Sequence, residues 1–185
     1  MNRKDFFRNS CKFGICACAG ALLMNNNSVN ASGLNSSDGE NDWKLEFVQK
    51  RFAKFIEIIN SNVDGDTKNL LLEQLGRACA TDWEDLAKKY IGNIEGYLQQ
   101  IQTDWVENAE YDKEKKEIKI FDKPKEKCFC PLVNSELMTK EFCNCTKGWQ
   151  KQTYETILGE KVDVEIMTSV LRGGDRCSFK IKIID

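Results

Sequence analysis

Any chemistry in this chain is done without histidine. Its 185 residues hold nine Cys, 27 Lys+Arg and 29 Asp+Glu but no imidazole. A Ser-His-Asp triad, a Cys-His pair, a His-bearing zinc site and a histidine pH switch are therefore excluded. Cysteine is the residue type left for nucleophilic, redox or metal chemistry. Four cysteines form two C-x-C pairs, Cys128-Phe129-Cys130 and Cys143-Asn144-Cys145. On extended backbone, residues two apart point to the same side, so each pair can offer two sulfurs to one point. Two pairs then complete a tetrahedral Zn(Cys)₄ set. With Cys177 added, the candidate metal ligands are Cys128, Cys130, Cys143, Cys145 and Cys177, holding zinc or iron. Disulfides are the competing use, since six of the nine cysteines lie beyond residue 31 and an exported chain with an even count commonly oxidises them. Free thiols with a catalytic or redox role are the third.

Other side chains are weaker candidates. Cys79, in Leu75-Gly76-Arg77-Ala78-Cys79-Ala80, reads first as a small buried residue and second as a thiol with Arg77 as its cation. Arg77 is also a candidate clamp for a ligand carboxylate, and Trp149 a candidate wall of an apolar pocket, although tryptophans most simply fill the core. Arg172 and Arg176 flank the turn Gly173-Gly174 and offer an anion site or a solvated hairpin tip. Glu165 is placed to move protons or to lie solvated on a polar strand face.

The elements that must position these groups follow from hydrophobic period. Phe47, Val48, Phe52, Phe55, Ile56 and Ile59 recur at helical spacing and predict a helix over 42–60. Asp64-Gly65-Asp66 ends it and caps a helix over 67–80, Thr81-Asp82-Trp83-Glu84 reads as a capping box for a third to about 91, and a fourth spans about 94–106. The period then drops to two. A hairpin around the turn Asp112 to Lys116 leads into Ile118 and Ile120, a cysteine loop follows, and a fifth helix over about 146–158 stops at Gly159. The chain closes on a hairpin in which Val162, Val164 and Ile166 pair with Phe179, Ile181 and Ile183. These elements predict an α+β domain, a small antiparallel sheet of about four strands covered by about five helices. No glycine-rich phosphate loop follows a strand, which excludes Rossmann and P-loop sites.

The N-terminus has the layout of an export signal: Arg3, Lys4, Arg8 and Lys12 precede an apolar run, and Val29 and Ala31 supply a small-residue cleavage site. Expected organisation is a signal over 1–31, a flexible linker over 32–41 and a single domain over 42–185. Asn2-Arg3-Lys4-Asp5-Phe6-Phe7-Arg8 resembles a twin-arginine export signal with lysine in the second basic position. Export machinery is thus an expected partner and the periplasm or exterior the expected location, with Cys18 as a lipid-anchor site the lesser reading. Losing Arg3, Lys4, Arg8, Lys12 and Asp5 takes the formal charge from −2 to −5, which argues against nucleic acid and anionic membrane as partners. A homodimer stays open.

The C-terminal third, from Phe142-Cys143-Asn144-Cys145-Thr146-Lys147-Gly148-Trp149 through Val162-Asp163-Val164-Glu165 to Gly174-Asp175-Arg176-Cys177-Ser178-Phe179, resembles the 4-vinyl-reductase-type domain. It also resembles the 2-amino-thiazoline-4-carboxylate hydrolase family, in which a Cys-Pro like Cys130-Pro131 precedes the helix. The first resemblance implies a helix-covered antiparallel sheet like that of transport-particle subunits, an apolar small-molecule pocket and, in sensor relatives, zinc held partly by cysteines. Cys143 and Cys177 match family cysteines, whereas the cysteine expected eight residues before Cys177 is Ser169, with Thr168 where an acidic residue is expected. The second implies hydrolysis of a cyclic amidine-like C–N bond with Cys130 or Cys143 as nucleophile. The functional expectation is an exported small-ligand- or metal-binding domain, with a thiol-dependent or metal-assisted hydrolase as the alternative.

Overall fold

The computed structural model describes residues 38–184, and the expected signal, its cleavage site and most of the expected linker lie outside them. The described chain runs α1 (Asp38–Asn62), α2 (Gly65–Asp82), α3 (Glu84–Lys89), α4 (Ile94–Asp104), β1 (Val106–Asp112), β2 (Glu117–Asp122), α5 (Asn144–Leu158), β3 (Val162–Thr168) and β4 (Ser178–Ile183), with short 3₁₀ turns at Lys140–Cys143 and Val170–Arg172. The four strands form one antiparallel sheet in the order β1-β2-β4-β3. This is the α+β class that the periods predict. Among the described residues no helix is long and apolar enough to cross a membrane.

Each strand puts alternate residues into the core. Ile118 and Ile120 of β2, Val162 and Val164 of β3, and Phe179, Ile181 and Ile183 of β4 are buried together with Tyr97, Leu98 and Ile101 of α4 and Tyr154 and Ile157 of α5. Tyr97 and Tyr154 meet edge to face with ring centroids 5.8 Å apart, a geometry that the ring quadrupole favours. A second apolar cluster gathers Ala53 and Ile56 of α1, Leu72 of α2, and Val133, Met138, Phe142, Cys143 and Leu171. The irregular segment between β2 and α5 is therefore anchored by its own apolar residues under α1.

Local chemistry sets the boundaries. Asp64 caps α2 as expected, its Oδ1 accepting from the Asp66 and Thr67 N–H groups at 3.1 and 3.0 Å. Gly159 ends α5 in the left-handed region at φ 72°. The expected capping box at Thr81 does not form: α2 continues through Asp82, and the Thr81 hydroxyl donates to the Arg77 carbonyl one turn back, a local bond available to threonine inside a helix. The first helix starts at Asp38, four residues before the expected boundary.

The helix crossing that positions the cysteines is made by two glycines. A Cβ on Gly76 of α2 would lie 1.7 Å from the Cys145 carbonyl oxygen, and one on Gly148 of α5 would lie 1.8 Å from the Glu73 carbonyl oxygen. The two backbones thus touch, closer than the 8–10 Å axial spacing that side chains ordinarily impose. Gly148→Ala and Gly76→Ala are expected to lower unfolding free energy by about 3 kcal/mol each through overpacking. Gly65→Ala, where nothing lies within 4 Å, is expected to be neutral or stabilising by up to ~1 kcal/mol. Urea denaturation of the three variants checks the contrast.

Candidate functional site

The crossing draws cysteines from three parts of the chain to one side of the molecule. Cys79 sits about one turn beyond Gly76 on α2 and is exposed, while Cys145 lies in the first turn of α5 and is half-buried. Cys128 and Cys130, also half-buried, come from the irregular segment between β2 and α5. That segment is fastened to α1 by Gln49 Nε2 donating to the Pro131 carbonyl at 2.8 Å and Asn60 Nδ2 donating to Thr139 Oγ1 at 3.2 Å. All six cysteines of the described chain are free thiols.

Their ionisation shows how they are grouped. Burial pushes the Cys145 thiol up to about 12, and charge on Cys130, Cys79, Cys128 and Cys143 pushes the same way. Burial also raises Cys130, opposed by the Leu132 and Val133 N–H groups and reinforced by Cys128 and Cys79. Cys79 and Cys128 thus lie near enough to both Cys130 and Cys145 to raise them, and Cys143 near enough to raise Cys145.

Cys143 and Cys177 have other surroundings. Cys143 is buried with its Sγ 3.2 Å from Ser169 Oγ. Burial raises its thiol, against the stabilising influence of Ser169 and Arg172. The contact joins two positions singled out by the 4-vinyl-reductase resemblance, with serine standing where a second cysteine is expected. Cys177 packs against the sheet-side core. Burial raises it too, opposed by the Val170 N–H and Lys125 and reinforced by Asp122 and Cys128.

The second C-x-C pair does not present two sulfurs to one point. Cys143 ends a 3₁₀ turn and Cys145 lies in α5, and helical residues two apart point to nearly opposite sides because each advances about 100°. Only on extended backbone do they share a face. Among the described residues, no three of Cys, Asp and Glu are grouped so as to hold a metal ion. The thiols as placed among the described residues do not form a finished zinc or iron centre.

Arg77 and Trp149 sit at the same crossing. Arg77 Nη1 donates to Glu155 Oε2 at 2.8 Å and its Nε to Glu73 Oε1 at 3.4 Å, while Lys151 Nζ donates to Glu73 Oε2 at 3.0 Å. This network joins α2 to α5, and Trp149 is half-buried beside Gly76. The guanidinium thus has a carboxylate supplied by the chain. Burial pushes Glu155 up, and bonds from Arg77 and the Val162 N–H outweigh it to hold the carboxyl below its ordinary 4.5. A separate, mainly polar groove of ≈ 360 Å³ is lined by Asn144, Lys147, Asp163, Val164, Glu165, Ile166 and Arg172. Glu165 pairs there with Lys180 and Asp163 with Lys151.

Comparison with known proteins places the fold. A family of unknown function, DUF6144, matches residues 114–185. No curated protein matches the chain. The phenol-responsive sensory domain of the transcription activator PoxR, solved with phenol, superposes with a TM-score of 0.51 at 11% identity, covering 73% of this chain and 74% of that one. A trafficking protein particle complex subunit 3 from Naegleria fowleri, covalently bound to palmitic acid, gives 0.48 at 14% identity over 78% of this chain and 97% of that one. A vinyl-4-reductase family protein from Methanocaldococcus jannaschii gives 0.35 at 16% identity over 83% and 100%. At these identities the likeness concerns architecture, and the chain shares the helix-covered antiparallel sheet of the sensory domain.

Two measurements check this site. Under limiting iodoacetamide at pH 8, mass spectrometry is expected to find Cys79 modified first among the six, because it alone of them is exposed, and Cys145 last. Equal rates at all six sulfurs contradict the placement. Glu155→Gln leaves Arg77 short of its carboxylate and is expected to cost about 2 kcal/mol at pH 7. A depressed carboxyl stabilises the fold above its unfolded value and loses that contribution as pH falls through its folded value. The parent chain should therefore lose stability below about pH 4.5 more steeply than Glu155→Gln, as read by urea midpoints against pH.

Proposed function

We propose that this chain is an exported binding domain whose cysteine group at the α2/α5 crossing receives a thiophilic ion or small ligand. The observation that carries the reading is the gathering of Cys79, Cys128, Cys130 and Cys145 from three segments into mutual electrostatic reach as uncrosslinked thiols. A thiolate nucleophile needs a depressed pKa, a base or a cation at its side. Burial instead raises Cys130 and Cys143, the two candidate nucleophiles, and the chain has no histidine to serve as base. That weighs for binding over hydrolysis. A soft cation deprotonates the thiols it binds, and its charge would offset the repulsion that thiolates brought this close otherwise meet.

Because no finished ligand set is present among the described residues, binding requires the segment carrying Cys128 and Cys130 to close on the helices that carry Cys79 and Cys145. Helix contacts fix the latter two, while the former two sit on irregular backbone. The pattern of residues 1–31 supports delivery outside the cytoplasm, and the resemblance to 4-vinyl-reductase-type domains supports small-molecule binding, as does the likeness of fold to a sensory domain solved with phenol.

The experiment is titration of the full chain, purified without oxygen, with Zn²⁺ and Cd²⁺ while counting reactive thiols. One equivalent per chain is expected to release protons and protect Cys79, Cys128, Cys130 and Cys145 from alkylation until chelator is added. Cys79→Ser should weaken binding on the order of tenfold or more. Alkylation rates unchanged by either metal would sink the ion-binding reading.

A further inference from the structure

Strand β3 closes the sheet on one side, so every second residue along it turns its backbone N–H and C=O away from β4. The Lys161 carbonyl, just before the strand, accepts from the Ile184 N–H, whereas the Val162 N–H leaves the sheet and is accepted by Glu155 Oε1 at 3.4 Å. Val164 and Ile166, two and four residues on, share the outward orientation of Val162. Both line the polar groove of ≈ 360 Å³ beside the start of α5. The Val164 side chain belongs to the core, so what it offers the groove is backbone.

The charges around these N–H groups do not cancel. Asp163 and Glu165 are balanced by Lys151 at 3.7 Å and by Lys180. Lys147 and Arg172 have no carboxylate within salt-bridge reach among the described residues. Lys147 is half-buried, and the half-buried lysines Lys119, Lys125, Lys151 and Lys180 are all paired, while Glu141 feels Lys68 and Arg172 without bonding to either. The first turn of α5, which supplies Asn144 and Lys147, has neither an acidic residue nor a side-chain cap, so the positive end of the helix adds in the same sense. Two residues back along the same edge, the chain shows what such a donor set holds. There the Glu155 carboxylate takes the Val162 N–H together with Arg77 at 2.8 Å and Lys161 at 3.6 Å. In the groove an outward N–H, a guanidinium and a lysine recur, without a carboxylate from the chain.

We propose that this groove binds a small organic monoacid, its carboxylate held by Lys147, Arg172 and the outward N–H of Val164 or Ile166. A space of this volume is at the small end of ligand sites, which limits what the carboxylate can carry. A second negative charge on the ligand would meet Asp163 and Glu165, so the groove selects a monocarboxylate over phosphate. The site uses none of Cys79, Cys128, Cys130 and Cys145 and stands whether or not they bind an ion.

Titration of the isotope-labelled full chain with acetate, lactate and benzoate, followed by amide chemical shifts, tests it. At least one of the three is expected to give saturable shifts at millimolar concentration, centred on Val164 and Ile166. Benzamide, which keeps the shape of benzoate without its charge, and inorganic phosphate are expected to give none. Lys147→Gln and Arg172→Gln are each expected to weaken binding on the order of tenfold, and Lys147→Arg to keep it. Urea midpoints of all three variants are expected to match the parent, since Lys147 and Arg172 lie outside both core clusters. Absence of saturation with all three acids overturns the proposal, as does binding that survives both glutamine variants. Phosphate binding as tight as the acids overturns the monoacid assignment, and shifts centred away from β3 overturn the site.

Discussion

Contact between the backbones of α2 and α5 governs most of what surrounds the cysteines. Gly76 and Gly148 remove the side chains that would hold the helices apart, and each faces a carbonyl of the other helix. Brought this close, Glu73 and Arg77 on one helix reach Lys151 and Glu155 on the other, so the polar network follows from the glycine contact. Cys79 and Cys145 are neighbours for the same reason. Moving the helices outward by the width of a methyl group would strain the ion pairs and the thiol group together, because interiors packed at crystal-like density transmit strain.

Burial and the absence of histidine act on the thiols in one direction. Desolvation disfavours the thiolate at Cys130, Cys143, Cys145 and Cys177, and near the crossing each charge would raise the cost of the next. Cys143 is the partial exception. It has Ser169 and Arg172 to stabilise a negative sulfur, yet burial still prevails. Cys143 thus lies in the apolar cluster with Phe142 and Leu171, its sulfur against the Ser169 hydroxyl, while Cys79, Cys128, Cys130 and Cys145 gather nearer the crossing.

What was legible in the sequence was whatever depends on local periodicity. The two hairpins showed because apolar residues alternate over Ile118 and Ile120 and again over Val162, Val164, Ile181 and Ile183, all of which enter one core. The Asp64 cap and the Gly159 stop showed because each is a short-range motif with its own hydrogen bonds. The Thr81 box failed because threonine and glutamate at that spacing fit a continuing helix nearly as well as a new start. The second C-x-C pair departs from the same-side arrangement for a related reason: that argument assumes extended backbone, and Cys143 and Cys145 lie on a 3₁₀ turn running into α5. Gly76 and Gly148 were the least legible residues of all. A glycine within a helix reads locally as weakness, and its value here lies in a partner seventy-two positions away. Ser169 stands out in the sequence only as a departure from a pattern, and its contact with Cys143 required the fold.

Helix α1 ties the irregular segment to the turn that leads into α5. Phe52 packs edge to face on Phe142 with centroids 5.4 Å apart, next to the start of α5, and lies tilted at 6.5 Å from Phe55, which faces solvent. Gln49 and Asn60 hold the cysteine-bearing segment from the same helix. One helix thus fastens the irregular segment at Pro131, Thr139 and Phe142, so the stretch that carries Cys128 and Cys130 runs between the end of β2 and the Pro131 anchor, with α1 holding the far side of that anchor in place.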